Sequence, residues 1–242
     1  MKKIARTAIA ELAWVSGWLF VSRWLPGRGD VRVLTYHRVG DADHDPFCVS
    51  EGDFDRQMAW LAQQRIAISL ADLQRYLAGE GSLPRGAVLV TVDDGCPCIY
   101  DRVAPIARRH GIPLIAFVPA GELREDGGTP PAAKATDPDA RITRGELREL
   151  ARAGVVIGSH SYTHRSFARL SPDEARFEAE KSRAILQSES GQSVEAFAYP
   201  FGTRADYDSA SSAILRHAGY RFAFTSQHGA INRRTDPYTL PR

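Results

Sequence analysis

The sequence predicts an α/β fold in which a parallel sheet curls into a barrel, and three observations point that way. Strand-like and helix-like segments alternate from Val31 onward. Two of the strand-like runs, Ala87 to Val92 (AVLVTV) and Pro113 to Val118 (PLIAFV), are almost continuously apolar, as strands buried on both faces of a parallel sheet are. Six or seven β/α units fit into the 242 residues, which favours a barrel over a doubly wound sheet.

The elements follow in order. Val31 to Tyr36 reads as the first strand, and Glu51 to Gln64 as a helix with Phe54, Met58 and Leu61 on one face. Ser69 caps a second helix over Leu70 to Leu77. After the AVLVTV strand, Ile99 to His110 is helical and stops at Gly111. The PLIAFV strand is followed by Asp126 to Ala140, rich in Gly, Pro, Asp and Ala and so a surface loop or insertion. Thr143 opens a helix through Ala153, with Glu146 completing a capping box. Val155 to Ser159 is a strand. Ser171 and Pro172 start a helix that ends near Gly191. Ala196 to Tyr199, a helix over Tyr207 to His217, and a last strand over Tyr220 to Thr225 complete the pattern.

The first 28 residues stand apart from this barrel domain, which occupies 29–242. Lys2, Lys3 and Arg6 precede an uncharged stretch from Leu12 to Ser22. That stretch is well short of the roughly 20 apolar residues that cross a bilayer as a helix. It resembles a secretory signal, yet no small-x-small cleavage site follows. Trp14 and Trp18 share a helical face with Val21 and Leu25, so the favoured reading is an amphipathic helix lying at a membrane interface. A helix that simply packs on the barrel comes second and an uncleaved signal third. Cys48, Cys96 and Cys98 are too few for a disulfide framework and read as small packing residues, which fits a reducing compartment. The expected location is therefore the cytoplasm or a membrane surface, with a secreted or periplasmic location following from the uncleaved-signal reading. A formal charge of +2 gives no electrostatic footprint for nucleic acid.

Three clusters fall at the C-terminal ends of expected strands, where α/β folds place their sites. Thr91-Val92-Asp93-Asp94-Gly95 sets two carboxylates at the end of a buried strand, costly unless something positive lies nearby. Neighbours on a strand point opposite ways, so the two cannot share one role. His160 and His164, in Gly158-Ser159-His160-Ser161-Tyr162-Thr163-His164, are spaced to converge on one side of a helical turn. With a carboxylate from elsewhere they make a two-His, one-carboxylate metal site. Phe197-Ala198-Tyr199-Pro200-Phe201-Gly202 is a shaped turn with an apolar wall.

On these motifs the chain resembles the polysaccharide deacetylase (NodB homology) family, carbohydrate esterase family 4. TVDDG is similar to that family's T-F-D-D-G motif, SHSYTH to its H-S-x-x-H motif, and AYPFG to a Y-P-Y-G variant of its third. Flanking segments agree: YHRV, RRHGIPLIAFV, ELARAGVVIGSHSYTH and YTLPR. The resemblance covers Val31 to Arg242 and implies a distorted (β/α) barrel of seven units. It implies that Asp94, His160 and His164 hold a divalent metal, zinc first, with cobalt, nickel, manganese or iron as other occupants. Asp93 would be the general base and the Phe201 backbone N–H a donor to the oxyanion, in a turn where Tyr199, Pro200 and Gly202 face the substrate. The reaction implied is removal of an N-acetyl group from an amino-sugar glycan or lipid-linked saccharide.

Two departures matter. The family's L-x-H motif, source of its general acid, has no recognisable counterpart, the nearest material being Ser226-Gln227-His228-Gly229. His37, in Thr35-Tyr36-His37-Arg38, is the alternative acid. The Arg that opens the family's third motif and orients the base is replaced by Ala198. Two rival readings follow: a glycan-binding protein that has lost its acid, and a non-haem iron enzyme using the same three ligands. The identity of the glycan and the oligomeric state stay open.

Overall fold

A computed structural model describes residues 31–41, 45–127 and 140–242. The expected interfacial helix within 1–28 lies outside the described residues, as does most of the Asp126–Ala140 insertion. No helix among the described residues is long and apolar enough to cross a membrane.

The chain begins with β1 (Arg32–Tyr36) and a small parallel pair, β2 (Arg38–Val39) and β3 (Cys48–Val49). Two helices follow, α1 (Glu51–Gln64) and α2 (Leu70–Leu77), then β4 (Val88–Val92). A wide π-type turn over Ile99–Val103 leads into α3 (Ala104–Arg109), and β5 (Leu114–Val118) comes next. The second half contains α4 (Arg144–Arg152), β6 (Val156–Ser159), α5 (Pro172–Ser190), β7 (Ala196–Ala198), α6 (Ser209–His217) and β8 (Phe222–Phe224).

Most boundaries fall within two residues of the sequence expectation, and two differences have local causes. The helix expected over Ile99 to His110 opens with a π turn. Pro105 has no N–H to give the preceding turn, and the Ala104 amide reaches back to Ile99 O instead. The helix expected from Tyr207 begins at Ser209, because the Asp208 side chain accepts the Ser211 amide at 2.8 Å and takes the cap position. Ser69, Thr143 and Ser171 all form capping boxes with the acidic residue three positions on.

Six strands form one parallel sheet in the order β1-β4-β5-β6-β7-β8. Spatial order follows chain order, as in a barrel; a doubly wound sheet would reverse midway. The sheet is curled, and the position of a seventh unit is taken by the C-terminal segment. Ile231 and Val31 exchange backbone hydrogen bonds of 2.8 and 2.9 Å, while Leu240 bridges to Phe224. One stretch of chain thus touches both outer strands.

Strand alternation divides the core in two. Val88, Val90 and Val92 face the helices, together with Leu114, Ala116, Val118, Ile157 and Phe197. Leu89, Ile115, Phe117, Ala198, Phe222 and Phe224 fill the barrel interior, and Leu70, Leu73 and Tyr76 of α2 pack with them. Burying each such large apolar side chain contributes about 1.5–3 kcal/mol. Gly158 faces the interior, where a Cβ would lie 2.5 Å from the Phe117 ring, so the close approach of β5 and β6 requires glycine there.

Candidate active site

The same alternation selects the first carboxylate. Leu89, Thr91 and Asp93 share the inward side, and the Asp93 amide continues the ladder to Tyr36 O at 2.9 Å. Asp93 is therefore an interior residue at the rim of the barrel, 1% exposed. The positive partner that its burial demands is Arg242, whose Nη1 lies 2.8 Å from Oδ2 and 2.9 Å from Oδ1. Arg242 is itself fixed. Its Nε donates to Thr225 O at 2.8 Å, its amide donates to Gln227 O at 2.9 Å, and its guanidinium lies over the Phe117 ring.

Asp94 lies just past the strand, with φ +70°. The opposition of the two carboxylates thus comes from a left-handed turn and not from strand alternation alone. That turn aims Asp94 at two imidazoles. His160 Nε2 and His164 Nε2 each lie 3.4 Å from the same oxygen, Asp94 Oδ1. The histidines do not meet on a helical turn as their spacing suggested. Residues 160–164 form an irregular loop in which Ser161 and His164 have φ +66° and +56°, and Ser161 Oγ accepts the His164 amide at 2.9 Å. A single hydrogen-bonded turn of helix would carry both rings on one face; here the Ser161 hydroxyl closes the loop instead.

Burial alone would push the Asp94 carboxyl up. Hydrogen bonds from His160 and His164, with the imidazole of His37 nearby, outweigh it and hold the carboxyl well below the usual carboxylate range. Burial would lower His160, yet its contacts with Asp94 and Asp93 raise it above the ordinary imidazole value. The two shifts describe one ion pair.

The donor set fits a divalent metal. His160 Nδ1 lies 2.8 Å from Ala198 O, a partner that can only accept. The proton is therefore on Nδ1, and the Nε2 lone pair is directed to the cluster once the ring is neutral. Bonds of about 2.0–2.2 Å at tetrahedral or octahedral angles separate neighbouring donors by roughly 2.9–3.6 Å. The two 3.4 Å separations lie in that range. All three ligand atoms lie within 4.8 Å of one another, and no other such group occurs among the described residues.

The third motif contributes unevenly. Phe201 is exposed, at φ +62°, with its ring 5.2 Å from that of His164. No hydrogen bond takes up its amide among the described residues. Gly202 must be glycine, because at φ +63° a Cβ would lie 2.6 Å from Ser226 N. The Tyr199 side chain, expected toward substrate, is turned into the core instead. It is fully buried, stacks on Tyr207 at 4.8 Å, and reaches Tyr238 O through its hydroxyl at 3.3 Å. Pro200 is buried beside it. Of the two candidate acids, His37 lies at the end of β1, half-buried, its ring 5.2 Å from that of exposed Phe47. His228 is exposed, and no contact ties it to the cluster among the described residues.

Five non-glycine residues among those described have positive φ, and Asp94, Ser161, His164 and Phe201 are four of them. Each such conformation costs about 1–2 kcal/mol, and clustering of that kind marks a functional site. Sequence reasoning missed Arg242, for which only the quoted YTLPR segment gave a signal. It also missed Glu178 of α5, which is buried and accepts the amides of Tyr162 and Thr163.

Comparison with known proteins bears on this arrangement. Residues 80–223 match the family model described as polysaccharide deacetylase. The chain is 22% identical over 232 residues to the poly-β-1,6-N-acetyl-D-glucosamine N-deacetylase of Staphylococcus aureus (strain MRSA252), covering 86% of this chain and 76% of that protein. Among solved structures, IcaB from Ammonifex degensii is 29% identical with a TM-score of 0.72, over 89% of this chain and 91% of that one. The Streptococcus pyogenes deacetylase PplD, solved in complex with acetate, shares the fold at a TM-score of 0.78 and 20% identity, over 89% of this chain and 92% of that one.

Proposed function

The chain belongs to the polysaccharide deacetylase family, and from that premise we propose that it is a metal-dependent carbohydrate N-deacetylase acting on N-acetylated glucosamine residues of a glycan. One observation carries the reading: Asp94, His160 and His164 converge beside a second carboxylate, Asp93, that is held separately by Arg242. The substrate class comes from the relatives, one of which is named for poly-β-1,6-N-acetyl-D-glucosamine.

Asp94, His160 and His164 would hold the ion. When bound, a divalent metal polarises the acetyl carbonyl and acidifies the attacking water, whose pKa falls to about 7 in zinc enzymes. Asp93 is placed to take the proton from that water, its carboxylate plane fixed by the Arg242 guanidinium. The Phe201 amide is the donor for the developing oxyanion. The departing amine needs a proton, and His37, just past β1 and half-buried, is the acid favoured over the exposed His228. Arg242 supplies from a distant segment the orienting cation that Ala198 cannot.

The test is acetate release from β-1,6-linked N-acetylglucosamine oligomers, before and after chelation and again after zinc is returned. Release that survives exhaustive chelation rules out metal dependence. No release from any N-acetylated glycan under any metal removes the enzymatic reading.

A further inference from the structure

The buried carboxylate of Glu178 takes no part in the chemistry above, and its surroundings give it a task. It sits in the middle of α5 and is 3% exposed. A charge so placed is costly unless hydrogen bonds satisfy it. Oε2 accepts the Tyr162 amide at 2.8 Å and the Thr163 amide at 2.7 Å, and Oε1 accepts the Thr163 hydroxyl. Two successive amides converging on one anion form a small nest. Here the anion is a side chain of the protein.

Those amides belong to the loop that separates His160 from His164. The loop holds left-handed residues at Ser161 and His164, so it does not rest in a relaxed conformation of its own. Ser161 Oγ pins its far end through the His164 amide. Glu178 pins its middle, and does so from a 19-residue helix. A second α5 side chain, Ser182, touches Ser159 at the end of β6 at 2.7 Å, four residues further along the helix.

We infer that Glu178 is a positioning residue for the metal ligands: its carboxylate templates the 161–164 turn so that both Nε2 atoms meet Asp94 without reorganisation when the ion arrives. The inference rests on the reading of Asp94, His160 and His164 as a metal site. An apo loop already in its binding shape loses little conformational freedom on binding, so the template raises affinity by lowering that cost. Glu178 touches neither metal nor substrate, so its effect appears in how the metal is held.

Cobalt is the probe, because its visible absorption reports both occupancy and coordination geometry. Metal-free wild-type protein and the Glu178→Ala, Glu178→Gln, Ser182→Ala and Thr163→Val variants are titrated with Co2+, and each is melted without metal. Glu178→Ala should lose about 10–100-fold in cobalt affinity, the range for removal of an outer-shell partner, with an altered spectrum. Glu178→Gln keeps an oxygen for the two amides and should recover most of the affinity. Ser182→Ala should lower the melting temperature without changing affinity. Thr163→Val leaves α5 untouched, so it reports even if Glu178→Ala does not fold, and it should weaken cobalt several-fold. Wild-type affinity and spectrum in Glu178→Ala, or in Thr163→Val should the first variant not fold, would overturn the inference. So would an equal loss in Ser182→Ala, which would assign the effect to general helix packing. Wild-type protein that binds no cobalt overturns the metal reading itself, and the inference with it.

Discussion

Arg242 and Asp93, 149 positions apart in sequence, form an ion pair with side chains 4% and 2% exposed. One guanidinium nitrogen spans both carboxylate oxygens, so the pair fixes the tilt of the carboxylate as well as its place. Removing one member of a buried pair leaves a charge uncompensated, at a cost of about 3–5 kcal/mol. Arg242→Ala should therefore lower the melting temperature and abolish most turnover. Arg242→Lys keeps the charge but loses the Nε donation to Thr225 O. It should fold like wild type, hold metal, and still turn over slowly. Wild-type kcat in the lysine variant would show that charge alone suffices.

The two adjacent carboxylates should separate cleanly on mutation. Asp93→Asn leaves Asp94, His160 and His164 in place and should keep the metal while losing about 10²–10⁴-fold in rate, the usual contribution of a general base. Asp94→Asn should bind metal weakly, and excess metal should restore part of its rate. Metal titration and acetate release on both purified variants decide the matter. The reverse outcome would exchange the two roles.

His37→Ala should reduce kcat by about 10²-fold or more and remove the alkaline limb of the pH–rate profile, where a general acid loses its proton. His228→Ala should change neither. A His37 variant with an intact alkaline limb would exclude His37 as the acid.

The pH response of metal-free protein follows from the His160–Asp94 pair. His160 is raised in the folded state, so its contribution is complete below the ordinary imidazole value of about 6.5 and is lost as pH rises through the higher folded value. Asp94 is lowered, so its contribution is present above about 3.9 and is lost as pH falls through the folded value. Between these limits the pair is fully formed. Chelated protein should melt at a lower temperature at pH 9 than at pH 6. Metal-loaded protein should not, since the ion requires the neutral ring. Parallel melting curves for the two forms would refute this.

The N-terminal reading is tested by fractionation. Removing residues 1–25 should release the protein from anionic vesicles with its melting temperature and turnover unchanged. Full-length protein that never sediments with vesicles would leave that segment no membrane role.

How much of this was legible in sequence depends on the range of the interaction. The caps at Ser69, Thr143 and Ser171 are local, and the sequence declared all three, the one at Thr143 as a capping box. The inward side of Asp93 followed from a two-residue period once the strand was recognised. The left-handed turns at Asp94, Ser161, His164 and Phe201 were not legible, because glycine advertises such turns strongly while Asp and His do so only weakly and Ser and Phe do not. The inward turn of Tyr199 was hidden for a related reason: its place in the motif says nothing of the aromatic shelf formed by Tyr207. Arg242 was hidden by distance alone. No local pattern links an arginine to a carboxylate on the opposite arm of the fold.

That distance also has a consequence for how the protein is made. On a ribosome, the six strands of the main sheet, β1 and β4 to β8, emerge and can pair in turn, since each neighbours the sheet strand made before it. Ile231, Leu240 and Arg242 come afterwards, and they bind back to Val31, Phe224 and Asp93. A nascent chain halted at about residue 225 would carry the three proposed metal ligands and the proposed base, Asp93, yet lack the cation that seats that carboxylate. Contacts this far apart in sequence are slow to form. Hydrolytic competence should therefore switch on only once the segment through Arg242 has been made and has docked, so that acetate release doubles as a readout of that docking.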